Sequence, residues 1–200
     1  MVSAESGGRV SGEERQGFRF RGGHPALDLT ATLAGRVKDT QRELLASGDD
    51  LRRWLEAAGY RCESAPSDAA LTLAREVREA VFDLAVSQIE QRPPPATALQ
   101  RINHLALALA AAPRLTEGRQ AEIAGSAETL VASLAREAIL LLGGPDAGRI
   151  RRCAGDGCAV LFIDRSRSGE RRWCSMKSCG NRHKVSEHRR RSRDGHAGQA

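Results

Sequence analysis

Aromatic side chains are scarce in this sequence, 4% of 200 residues, which excludes a core of stacked rings. Apolar residues reach 40%, so one modest core must be assembled from Leu, Ala, Val and Ile, and that favours helices. No run approaches the roughly 18 consecutive apolar residues of a membrane span. Residues 1–21 carry Glu and Arg and lack the apolar stretch of a secretory signal, so a cytoplasmic protein is expected. Lysine is almost missing: three of the 31 basic residues, leaving nearly every positive charge on a guanidinium.

Cysteine is also sparse, five residues, yet four of them form two pairs of identical spacing, Cys153-x4-Cys158 and Cys174-x4-Cys179. Zinc takes four thiolates in a tetrahedron, and two short-spaced pairs are how a chain supplies them. The competing reading is buried free thiols or two disulfides; a reducing cytosol disfavours the disulfides. One structural Zn2+ on Cys153, Cys158, Cys174 and Cys179 is therefore expected, with no open position for catalysis. His183 and His188 are set aside as ligands because four sulfurs fill the site. Cys62 has no cysteine neighbour and is read as filling a gap between helices.

Periodicity predicts a mainly α architecture: a helical domain over 17–144 with a minor short-strand element, then a zinc module over 149–193. Residues 1–16 and 194–200 read as a disordered leader and tail. Phe18-Arg19-Phe20 alternates like a short strand, and Pro25 opens a helix expected to reach Gly35. A helix over 51–58, capped by Asp49 or Asp50, ends at Gly59. Longer helices are expected from Ser67 to about Gln91, from Ala96 to Ala112 and from Ser126 to Leu142, with a short hairpin at 114–115 and 120–123. The Arg-Glu pairs at 75–79 read as a solvated face, and His104 as a partly buried, hydrogen-bonded side chain. Asp28 is taken as a helix-dipole residue. No polar constellation resembles a catalytic site, so an enzyme is not expected.

In the zinc module, Arg149–Arg152 predicts a strand, Gly155 and Gly157 a tight knuckle, and 159–163 a second strand whose partner is 171–173. Leu161 and Ile163 share one face of that strand and Phe162 takes the other. A helix is expected over 180–193. This is a treble-clef or ribbon-like arrangement with almost no core of its own, so the metal must hold it together.

Charge is unevenly placed. Residues 149–200 hold 14 Arg and Lys against 5 Asp and Glu, a formal +9, while the rest of the chain sums to −3. A compositional bias towards arginine does not produce that asymmetry, which points to a polyanionic partner. The candidate contacts are Arg165, Arg167, Arg171 and Arg172 on the hairpin and its loop, and Asn181, Arg182, Lys184, Arg189, Arg190 and Arg193 along the helix. Asn181 equally suits a turn or cap, and Arg182 equally suits a pair with Asp164.

The stretch Cys174-Ser175-Met176-x-x-Cys179-Gly180-Asn181-Arg182, with Phe162-x-Asp164-x-Ser166 and Arg171-Arg172-Trp173 before it, resembles the CGNR zinc-finger family of bacterial proteins. Phe18-x-Phe20-x-Gly22-Gly23-x-Pro25-Ala26-Leu27-Asp28 and Asp50-Leu51-x-x-Trp54-Leu55 are similar to the ABATE domain usually joined to that finger. The likeness spans about residues 17–193. One departure is plain: the usual Asn-Thr pair after Leu-Asp is Ala31-Thr32 here. The resemblance implies a stress-linked transcription regulator whose finger binds nucleic acid. Together with the charge, it yields the expectation of a zinc-dependent DNA-binding protein whose helical domain receives a signal or forms a homodimer. RNA binding by the same surface, or a zinc-stabilised protein-interaction adaptor, are the alternatives; scarce stacking rings argue against RNA.

Overall fold

The computed structural model of the chain describes residues 13–197, with the side chains of Glu13, His188 and 192–197 outside that description. Strand β1 (Glu13–Arg15) pairs antiparallel with β2 (Phe18–Phe20), so residues 13–15 are a strand rather than part of an unstructured leader; residues 1–12 lie outside the described residues. Phe18 and Phe20 are buried and Arg19 faces out, as the alternation requires.

Helix α1 (Pro25–Thr30) starts on His24, whose Nδ1 accepts from the Ala26 amide at 3.2 Å. It stops short of Gly35. The Thr30 and Thr32 hydroxyls turn back onto the Leu27 and Leu29 carbonyls, and the chain enters β3 (Leu33–Ala34), paired with β4 (Arg42–Glu43). Helix α2 (Gly48–Ala58) begins earlier than expected. Its cap is Ser47, whose hydroxyl takes the Asp50 amide while the Asp50 carboxylate takes the Ser47 amide, a reciprocal capping box. Gly59 ends it at φ +94, a left-handed conformation that a side chain would strain.

Strand β5 (Arg61–Cys62) precedes α3 (Asp68–Ile89), which Ser67 caps. Helix α4 (Ala96–Ala106) ends well before Ala112. Leu107 and Leu109 beyond it are 82% exposed, and the chain instead extends into β6 (Pro113–Leu115). Proline disfavours helical backbone in the residue before it. The expected hairpin is present, β6 against β7 (Ala121–Gly125), and β5 adds to β7 in parallel. Cys62 is thus on an edge strand, half-buried against the apolar core, with its thiol donating to the Ser64 carbonyl at 3.1 Å. His104 is exposed, not partly buried.

Helix α5 (Ala127–Leu142), capped by Ser126, packs with α3 and α4, and α1 lies against α3 and α5. Leu27, Leu29, Leu51, Trp54, Leu130 and Leu134 are fully buried between them. A 3-10 turn, Ala147–Arg149, leads into strand β8 (Ile150–Arg152), which pairs antiparallel with β9 (Leu161–Ile163). The partner of β9 is therefore β8 and not 171–173. A π-turn, Met176–Gly180, then feeds α6 (Asn181–Ala197), so Asp194–Ala197 continue the helix instead of forming a tail.

The apolar core runs across residue 149. Ile150, Leu161 and Ile163 join the cluster built on α1, α3 and α5, whereas Phe162 packs with Cys153, Val160, Cys174 and Cys179. The alternation along β9 thus serves two cores at once. The Ile163 amide donates to the Gly22 carbonyl at 2.9 Å, tying β9 to the chain just before α1.

Candidate metal centre and cationic surfaces

The knuckle between β8 and β9 delivers Cys153 and Cys158, a loop delivers Cys174, and the π-turn at the head of α6 delivers Cys179. All four sulfurs lie within 4.8 Å of one another. A zinc ion about 2.3 Å from each thiolate sets tetrahedral S···S distances near 3.8 Å. Cys174 to Cys179 is 3.7 Å and Cys158 to Cys174 is 4.0 Å, so the residues fit one structural zinc ion. Backbone amides point at the sulfurs as a thiolate requires: those of Gly155 and Cys174 approach Cys153 Sγ at 3.4 and 3.3 Å. At Gly155 the space for a side chain is tight. A Cβ there would stand 3.0 Å from Cys179 Cβ and 3.1 Å from its sulfur.

Hydrogen bonds from the Cys158 and Cys174 thiols lower Cys153 to about 2, favouring its thiolate. Hydrogen bonding to that thiolate in turn pushes Cys158 up to about 11 and Cys174 higher still. A bound zinc ion would hold all four sulfurs as thiolates, displacing the protons that Cys158 and Cys174 otherwise retain.

The loop between β9 and Cys174 is organised by Asp164, which is 2% exposed. Its Oδ1 accepts from the Ser166 amide and hydroxyl at 2.9 and 2.6 Å, and its Oδ2 accepts from the Arg171 amide at 2.9 Å. Burial raises its pKa, but these donors outweigh that and keep it below the usual carboxylate value. Asp164 does not pair with Arg182, contrary to the sequence expectation.

The candidate nucleic-acid residues divide into groups. Arg171 turns inward: its Nε donates to the Trp173 carbonyl at 2.9 Å, Nη2 to the Cys174 carbonyl at 2.6 Å, and its guanidinium lies 4.5 Å over the Phe162 ring. Arg165 is exposed, 3.6 Å from Asp146. Arg167 and Arg172 are exposed, Arg172 lying 5.0 Å over the Trp173 ring. Lys184, Arg189 and Arg190 project from α6 into solvent. Asn181 opens α6, and its Nδ2 donates to the Lys177 carbonyl at 3.4 Å. Arg182 is exposed at the mouth of a cleft shared with the helical part. The side chain of Arg193 lies outside the described residues.

Sequence reasoning missed a buried ionic network. Arg78 is 4% exposed and donates to Glu43 at 2.6 Å and Glu79 at 2.7 Å, while Arg36 grips Glu79 at 2.6 and 3.0 Å. Burial works against the charge on both carboxylates, but these guanidiniums prevail and hold Glu43 and Glu79 below their ordinary value. The helical spacing of 75–79 marked a polar face. Only the return of residues 32–43 over α3 covers it.

A family model described as "ABATE: Putative stress-induced transcription regulator" matches residues 23–145, and one described as "CGNR zinc finger" matches residues 149–192. No curated protein matches the chain. The first match covers well over half of the 200 residues, and the second includes all four metal-binding cysteines. This chain belongs to the ABATE family and carries a CGNR zinc finger after that domain.

Proposed function

We propose that the protein is a transcription regulator whose zinc finger binds duplex DNA and whose helical domain receives a signal or mediates dimerisation. The observation that carries this reading is the free basic surface of the finger. Arg167, Arg172, Lys184, Arg189 and Arg190 are exposed and have no carboxylate partner among the described residues. They sit on a scaffold that the metal fixes, so their charges are displayed in a set geometry instead of on a loose tail. Helix α6 touches chiefly the π-turn before it, packs His183 against Trp173 and leaves most of its other described side chains exposed, which suits an element entering a major groove. Arg171 acts in this reading as a positioning residue for the Cys174 loop, and Asn181 as a cap. No catalytic step is proposed, since four thiolates leave the ion without an open position.

Duplex binding by the zinc-loaded full chain, measured over a salt series, tests the reading. Contacts to about five phosphates predict a log–log slope near −4 to −5, abolished by a chelator. Binding that ignores salt, or is absent on duplex DNA, overturns it, and a strong preference for single-stranded RNA replaces it with the RNA alternative.

A further inference from the structure

We infer that the cleft between the helical domain and the zinc knuckle binds a small organic molecule bearing several phosphate groups. The cleft has a volume of about 310 Å³. Arg19, Arg21, Arg36, Lys38 and Arg42 line it from the helical side and Arg182 from the finger, and among the described residues no Asp or Glu lines it. Glu79 neutralises Arg36 through its two-pronged ion pair. The other five have no acidic partner among the described residues. Five uncompensated cations around one small space repel one another, and an anion placed among them relieves that repulsion.

Two of the lining cations, Arg21 and Arg36, are held in place by hydrogen bonds. Arg21 donates from Nη1 to Ser178 Oγ at 2.8 Å, which anchors its guanidinium against the π-turn. Its Nε is buried and has no acceptor among the described residues. Lys38 lays its stem across Gly157 so closely that a Cβ there would meet its Cε at 2.5 Å. The loop carrying Lys38 and Arg42 is tied down at one end by Arg36 on Glu79 and closed by the β3–β4 pairing.

The lining also selects the ligand class. Among the described residues no aromatic ring lines the cleft to stack a base, and no carboxylate lines it to take a cation or an amine. Recognition therefore falls on anionic oxygens, for which guanidinium forks are suited. A volume near the small end of ligand sites accommodates a phosphorylated metabolite but not a duplex. Because both the helical domain and the finger supply cations, an occupant touches the surroundings of Cys158 and Cys179 and the helical domain together. This site does not depend on the finger's binding DNA.

Calorimetric titration of the zinc-loaded full chain with inorganic triphosphate at about 150 mM salt tests the inference. Saturable 1:1 binding is expected, weakened by about tenfold or more in a Lys38→Gln/Arg42→Gln double variant. An Arg165→Gln/Arg167→Gln variant, which alters the finger surface away from the cleft, should bind triphosphate as the parent does. Lys38 and Arg42 are exposed and make no ion pair, so unchanged zinc content and circular dichroism check that the double variant is folded. Absence of saturable binding overturns the inference, and so does an equal loss in the Arg165/Arg167 variant, which marks diffuse attraction. Duplex affinity is measured on the same proteins. If the cleft variant loses duplex binding while the parent fails to bind triphosphate, the cleft belongs to the nucleic-acid track. If duplex binding is absent and triphosphate still binds 1:1, the inference stands and the DNA reading fails.

Discussion

The amide of Ile163 donates to the carbonyl of Gly22 at 2.9 Å, so the second strand of the finger is hydrogen-bonded to the segment that launches α1. The Ile163 side chain, 2% exposed, enters the same apolar cluster as Leu27 and Leu29. Finger and helical domain are therefore coupled by main chain and by packing. Ile163→Ala should cost about 2–5 kcal/mol, as truncations of buried aliphatic chains do. Hydrogen exchange should speed up in α1 and in β8 together. Faster exchange confined to the finger would contradict the shared core.

Cys174→Ser should reduce the zinc content from one per chain to near zero and leave the 153–180 region unprotected, since Cys174 is fully buried among the other three sulfurs. Gly155→Ala is the milder probe. Its new Cβ presses on Cys179, and about a tenfold loss of zinc affinity in a chelator competition is expected, a size typical of disturbed metal surroundings. An unaltered affinity would mean that the knuckle relaxes around the methyl group.

Arg171 and Arg182 should separate stability from binding. Arg171→Ala leaves the Trp173 and Cys174 carbonyls short of a donor and should lower stability by about 1–3 kcal/mol in denaturant unfolding. Arg182→Ala removes an exposed side chain without an ion pair, so stability should stay within about 0.5 kcal/mol. Duplex affinity should fall in the Arg182 variant at full zinc occupancy. A large stability loss there would make Arg182 a structural residue.

Acid should unlock the network over α3. Glu43 and Glu79 are held below their ordinary value of 4.5, so their contribution is complete above that pH and fades as pH falls through the lower folded values. The thermal midpoint should drop between about pH 5 and pH 3, and this drop should be shallower in Glu79→Gln, which has one proton fewer to take up. Equal slopes in the two proteins would show that other carboxylates govern the acid limb.

The metal centre was legible because its information is local. Two Cys-x4-Cys pairs state ligand number, ligand type and closure of the site, and Gly155 and Gly157 announce the tight knuckle. The helices were legible for a similar reason, since Ser67, Ser126 and Gly59 sit where caps belong. The ends of α1 and α4 were not. Hydrophobic spacing continues past Thr30 and Ala106, but the threonine hydroxyls divert the backbone after α1, and beyond α4 Leu107 and Leu109 stay in water. Strand pairing was misassigned for the same kind of reason. The sequence pointed to 171–173 as the partner of 161–163, whereas 150–152 pairs with it, because the pairing depends on which segment closes the knuckle.

By itself the sequence determined the chemistry of the tail: four thiolates for one closed zinc site, and an excess of guanidiniums around it. Tertiary structure alone decided which of those charges are available. Arg171 is consumed on carbonyls, Arg78 is sealed beneath the 32–43 return, and Arg182 is brought opposite Arg19, Arg21, Lys38 and Arg42. Partners 140 and more residues apart leave no periodic trace along a chain, because such contacts are fixed by how the whole core closes and not by neighbours in sequence.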